Sequence, residues 1–142
     1  MARLIHLAAA LLLLLAAPLL MAMGMGESEG PTRIPEPEQN YRASVTDMEG
    51  MSVEVTNFSI DGQVFVLGNL GDGTLAVPFT KVKSINLTKQ GETMKAHLIL
   101  HKEKPVDLSV KASFKAYGKT EYGNFRITLD KVKTIQLLGI IQ

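Results

Sequence analysis

The sequence predicts an all-β fold built from two tandem units of about fifty residues each. Three observations lead there. Apolar residues alternate with polar ones at a period of two across much of residues 41–142, as in half-buried strands. Helical periodicity is absent from the same region. The segment running from Gly73 through Leu75, Val77, Phe79, Val82 and Ile85 to Leu87 returns fifty positions later, without a gap, as Gly123 through Phe125, Ile127, Leu129, Val132 and Ile135 to Leu137.

Taken in order, residues 1–26 read as an export segment. Arg3 supplies a positive start, Leu4 to Leu20 is apolar apart from His6, and Pro18 breaks the run. Ala22-Met23-Gly24 and Gly24-Met25-Gly26 then fit the small-x-small pattern of signal peptidase. The same run is long enough to stay in the membrane as an uncleaved anchor. Residues 27–39 follow with three prolines and four glutamates, a composition that favours a disordered, solvated linker. Residues 40–142 form the folded domain, with one unit at 40–91 and the other at 92–142.

Ten short strands are expected, at 42–47, 52–58, 63–67, 74–79, 84–88, 94–101, 105–110, 113–117, 124–129 and 134–138. Turn signals separate them, including Glu49-Gly50, Asp61-Gly62, Gln90-Gly91 and Tyr122-Gly123. Strands at this spacing point to a sandwich or a pair of small barrels. The step of three from Val82 to Ile85, and from Val132 to Ile135, is read as a tight turn around Lys-Val-Lys. Gly73 and Gly123 suit positive φ. Pro78 removes a donor, which places its strand at an edge or a bend. The echo slips by three near Thr56 to Phe58, an insertion in the first unit. A unit of fifty residues has a marginal core. The two are therefore expected to pack face to face over Leu75, Val77, Phe79, Ile85, Leu98, Leu100, Phe125, Ile127, Leu129 and Ile135.

The chain has no cysteine, which excludes both a disulfide framework and a lipidated cysteine. Removal of Arg3 leaves fourteen basic against fourteen acidic residues. The second unit is the more basic, with Lys111, Lys115, Lys119, Arg126, Lys131 and Lys133.

Candidate chemistry is sparse. His97 and His101 are four apart on one strand, where with Ile99 they share a face and supply half of a metal site. No cysteine or well-spaced carboxylate completes it, and solvent-facing histidines are expected. Asn69 and Asp72 lack the full spacing of a calcium loop. No Ser sits in a nucleophile elbow. Glu54 and Asp107 hold matched positions in the two units, facing water. Tyr117, Tyr122 and Phe125 gather around Gly118 and Gly123, as an aromatic patch for a ligand or as ordinary cross-strand packing.

Tyr122-Gly123-x-Phe125-x-Ile127-x-Leu129-x-x-Val132-x-x-Ile135 resembles a pattern of small secreted bacterial β-repeat proteins of unknown function. Its strand–turn–strand cadence is similar, more loosely, to the last strands of Sm-like small β-barrels. In the first unit Asp72 precedes Gly73 and Leu75 replaces the aromatic residue. The resemblance implies an all-β fold and an envelope setting, and implies no activity.

The expectation is an exported, periplasmic or secreted, non-enzymatic β module that binds or scaffolds in the cell envelope, with no cofactor. Its expected partner is an envelope protein or polymer, or a second copy by strand pairing. Nucleic acid is not expected as a partner, and the membrane only through an uncleaved export segment. The alternative is a small-ligand or metal-binding periplasmic protein using His97 and His101 or the Tyr117/Tyr122 patch.

Overall fold

The computed structural model describes residues 33–142. The expected export segment and the first part of the Pro/Glu-rich stretch lie outside the described residues. Ten antiparallel strands follow: β1 (Tyr41–Asp47), β2 (Ser52–Ile60), β3 (Phe65–Leu70), β4 (Gly73–Pro78), β5 (Val82–Gln90), β6 (Thr93–Leu100), β7 (Val106–Lys111), β8 (Lys115–Thr120), β9 (Gly123–Thr128) and β10 (Val132–Ile140). Single 3-10 turns at Phe79–Lys81 and Leu129–Lys131 connect β4 to β5 and β9 to β10. Among the described residues there is no α-helix.

All ten strands belong to one open sheet, in the order β4-β3-β7-β6-β5-β10-β1-β2-β8-β9. The expected sandwich or barrel pair is corrected accordingly. Two five-stranded runs meet edge to edge, where Ser84, Ile85 and Asn86 of β5 face Gln136, Ile135 and Thr134 of β10. Their composition also departs from the sequence halves. One run, β3 to β7, is continuous in the chain; the other joins β1 and β2 to β8, β9 and β10. Exchanging every strand with its counterpart five places along turns the order into its own reverse.

Matched positions hold matched bonds. The Phe79 N–H donates to the Val64 carbonyl at 2.9 Å, and the Leu129 N–H to the Phe114 carbonyl at 2.8 Å. The Lys81 carbonyl accepts from the His101 N–H, and the Lys131 carbonyl from the Met48 N–H, both at 3.0 Å. The tight turn lies two residues earlier than the spacing implied, at Phe79–Lys81 and Leu129–Lys131. Val82 and Val132 already begin strands, and the step of three is a β-bulge. Lys83 is the extra residue against β6, and Lys133 against β1. A bulge advances the face by one residue, so Val82 and Ile85 both stay buried.

Two glycines permit neighbouring strands, β8 with β2 and β3 with β7, to approach closely. A Cβ on Gly118 would lie 2.4 Å from the Val55 Cβ, and one on Gly68 would lie 2.8 Å from the Leu108 Cβ. No side chain fits either site. Gly123 has φ +143, as expected for a positive-φ position, whereas Gly73 has no such φ. Asp61 and Gly62 both have positive φ, and Ile60 bridges to Gln63 around them, a primed hairpin turn. Pro78 ends β4, an end strand of the sheet, where its missing donor costs nothing.

Val77, Phe79, Ile85, Leu98, Leu129 and Ile135 are buried, while Leu75, Leu100, Phe125 and Ile127 pack half-buried against them. Tyr41, Phe58, Met94 and Leu108 complete the core. Phe58 turns inward at a bulge in β2 between Thr56 and Ser59, where Asn57 takes φ +49. Its ring stacks on Phe79 at 5.3 Å, and Tyr41 meets Phe79 edge-on at 5.4 Å. Phe79 precedes β5, whereas Tyr41 and Phe58 belong to β1 and β2, so this trio packs the two runs together. Such pairs contribute about 0.5–1.5 kcal/mol beyond burial.

Residues 33–40 carry no regular strand or helix. Ile34, Pro35 and Pro37 are half-buried, and Pro35 lies against Gly62. Asn40 anchors this arm. Its Oδ1 accepts the Asn57 N–H at 2.7 Å, and its carbonyl accepts the Ile141 N–H at 2.8 Å.

Candidate functional site

The two histidines are placed differently from the expectation. β6 ends at Leu100, so His101 has left the strand and no longer alternates with His97. His97 sits directly opposite Asp107 on β7, with its Nδ1 2.6 Å from Asp107 Oδ1. Both side chains are well exposed. An exposed pair of this kind contributes about 0–1 kcal/mol and orients the imidazole. Asp107 is ten positions from His97, and only the sheet register reveals their pairing. Its counterpart Glu54 pairs with Arg42 at 3.4 Å. Among the described residues no three His, Asp or Glu side chains gather where a metal ion could be held. In the Asn69–Asp72 turn, the Thr74 hydroxyl donates to Asn69 Oδ1 at 3.5 Å.

The aromatic residues also separate. Tyr117 lies opposite Ser59 on β2 and Arg126 on β9, and Phe125 lies opposite Gly118. Alternation therefore puts Tyr117 and Phe125 on different faces of β8–β9. Tyr122 stands at the hairpin tip, 91% exposed.

Tyr122 and Phe125 do border a common space. β2 pairs with β8 only from Thr56 onward, so the beginning of β2 and the tip of the β8–β9 hairpin part. Between them lies a groove of about 860 Å³. Val53, Val55 and Phe125 line its floor, with Lys119, Glu121 and Tyr122 at the hairpin. Glu54 also lines it.

The same hairpin carries the more open end of the sheet. β9 is an end strand, paired with β8 along Gly123 to Thr128 and unpaired on its other side. Half of its backbone donors and acceptors therefore face outward, the template on which another strand can pair. β4, at the opposite end, finishes in Pro78, and Thr128 occupies the matching place in β9. Arg126 is the one charged side chain on β9. Sequence reading locates β9 but not its end position, because edges are decided by long-range pairing.

Packing perturbs the ionisation of Tyr41. Burial raises the Tyr41 phenol above its ordinary value, and its hydroxyl donates to Gln39 Oε1 at 3.2 Å. No helix among the described residues is long and apolar enough to cross a membrane.

Comparison with known proteins gives one result. No curated protein and no solved structure matches the chain. A family model described as "Uncharacterised protein" matches residues 37–139. This span is well over half of the chain and reaches from the Asn40 anchor into β10, and the chain belongs to that family.

Proposed function

We propose that this chain is an exported, non-enzymatic β module of the bacterial cell envelope that holds a protein partner by strand addition at β9. The observation that carries the reading is the coincidence of an unpaired strand edge with an apolar groove on one hairpin. An extended segment aligned with β9 gains main-chain hydrogen bonds along the edge. Alternate side chains of that segment lie beside Phe125 on the groove face of the hairpin, which is where selectivity arises, while Val53 and Val55 stand beyond β8. Export is supported by the apolar run Leu4 to Leu20 and the small residues after it. An origin by internal duplication is supported by the self-matching strand order and by the like roles of Gly68 and Gly118.

The test is capture of envelope proteins by the purified full chain, repeated with Arg126→Pro, because the Leu129 N–H points to β8 and alternation turns the Arg126 N–H away from it. Loss of the captured protein, with capture preserved in Ala76→Pro on β4, is the expected outcome. Undiminished capture by the β9 variant overturns the proposal.

A further inference from the structure

At the other end of β1, the last residues of β10 form a separate exposed surface. Leu138 is the extra residue of a bulge against β1, and Gly139 takes φ +109. β10 keeps register with β5 only as far as Gln136 opposite Ser84. Beyond that point the strands part around a cleft of about 390 Å³. Phe79, Val82 and His101 line it together with Leu137, Leu138 and Ile140. Leu138, Ile140 and Ile141 remain 39%, 45% and 40% exposed. Three large apolar side chains within four positions form a cluster rather than the scattered single residues of an ordinary surface.

Lysines outnumber acidic residues around this cluster. Lys83, the bulge residue of β5, lies beside the Val82 wall of the cleft and is exposed. Lys102 and Lys104 are exposed in the loop after His101, and the His101 N–H donates to the Lys81 carbonyl, tying that loop to the same wall. Of the acids nearest in the chain, Glu103 is engaged by Lys81 at 3.6 Å, and Glu38 precedes the Asn40 anchor. Lys83, Lys102 and Lys104 make no ion pair among the described residues.

We propose that this end of β10 is a contact site for an anionic lipid surface. Leu138, Ile140 and Ile141 enter the boundary between headgroups and acyl chains, and Lys83, Lys102 and Lys104 meet the headgroup phosphates. Apolar side chains with lysines next to the residues that wall the same cleft suit an interfacial site. Each lysine near such a surface strengthens binding about five-fold. The bulge and the positive φ at Gly139 interrupt the strand here, so the cluster offers no regular edge to a protein strand. The site is independent of β9.

The full chain tests this through a single reporter, since it has no cysteine of its own. Gln142→Cys is labelled with a polarity-sensitive dye, and Met51→Cys, in the β1–β2 turn, serves as the control. The expected result is a blue shift at position 142 on phosphatidylglycerol vesicles, with little on phosphatidylcholine vesicles and none at position 51. Lys102→Glu/Lys104→Glu weakens the response at least about twenty-fold, and Ile140→Asp/Ile141→Asp abolishes it, with circular dichroism unchanged. Binding of the N-terminal apolar segment alone would leave position 142 silent. Silence at 142, an equal shift on neutral vesicles, or a concentration-dependent shift without lipid overturns the proposal.

Discussion

At the scale of single residues, the tightest constraint is the missing Cβ of Gly118. Gly118→Ala forces a methyl group to within 2.4 Å of the Val55 Cβ. Overpacking of this kind costs about 1–3 kcal/mol, so urea unfolding should show a lower midpoint with an unchanged slope. Gly68→Ala, against Leu108, should behave alike. In Gly118→Ala/Val55→Gly, which removes the opposing Cβ, the combined loss should be smaller than the sum of the single losses, which a double-mutant cycle reads directly. Tyr41 gives a pH dependence. Its folded-state value is raised by burial, so above about pH 10 the unfolded chain loses this proton first. Stability therefore holds below that range and falls as pH rises through it. Tyr41→Phe should flatten the fall, measured as unfolding free energy from pH 9 to 11.

At the scale of elements, the bulges explain both what was legible and what was not. Strand existence followed from alternation, and all ten expected strands are present, because period two survives wherever one face is buried. The Lys-Val-Lys step of three looked like a turn. A bulge shifts the face by one residue just as a turn does, and only the partner strand tells them apart. Phe58 was missed for a related reason. Asn57 and Phe58 break the alternation of β2, and the residue that escapes the pattern is fully buried. Phe58→Ala should cost about 3–5 kcal/mol. Ile127→Ala, at a half-buried site, should cost nearer the lower end for its class, about 2 kcal/mol. Thermal or urea unfolding separates the two. The His97–Asp107 pair lay beyond sequence reading because its partners come from register, and the groove at the β8–β9 tip because it exists only where β2 and β8 diverge.

At the scale of the whole molecule, the sheet order decides which pieces hold together. Reading the halves as 40–91 and 92–142 captures the matching of positions but not the pairing of strands. Within the run β3 to β7 every pairing except that of β5 with β10 falls inside residues 65–111, whereas β1 and β2, besides each other, need β10 and β8. A fragment spanning 61–112 should therefore retain strand structure in circular dichroism better than 41–91 or 92–142. Equal signals from all three would show that neighbour pairing is not what organises the chain. Length alone cannot produce this difference, since all three fragments are near the size at which a core is marginal.

The placement of β10 between β5 and β1 also fixes an order of events for a chain made from its first residue to its last. β1 and β2 emerge early and wait unpaired along their outer sides while the continuous run completes itself. The final strand then wedges into the middle of the sheet, closing the most distant contacts in the molecule last, the step that long loop closure makes slow. Until that insertion the nascent protein exposes two open strand borders. A holding chaperone that captures extended segments has its longest opportunity there, and the pairing of β10 with β5 and β1 is the moment at which that opportunity ends.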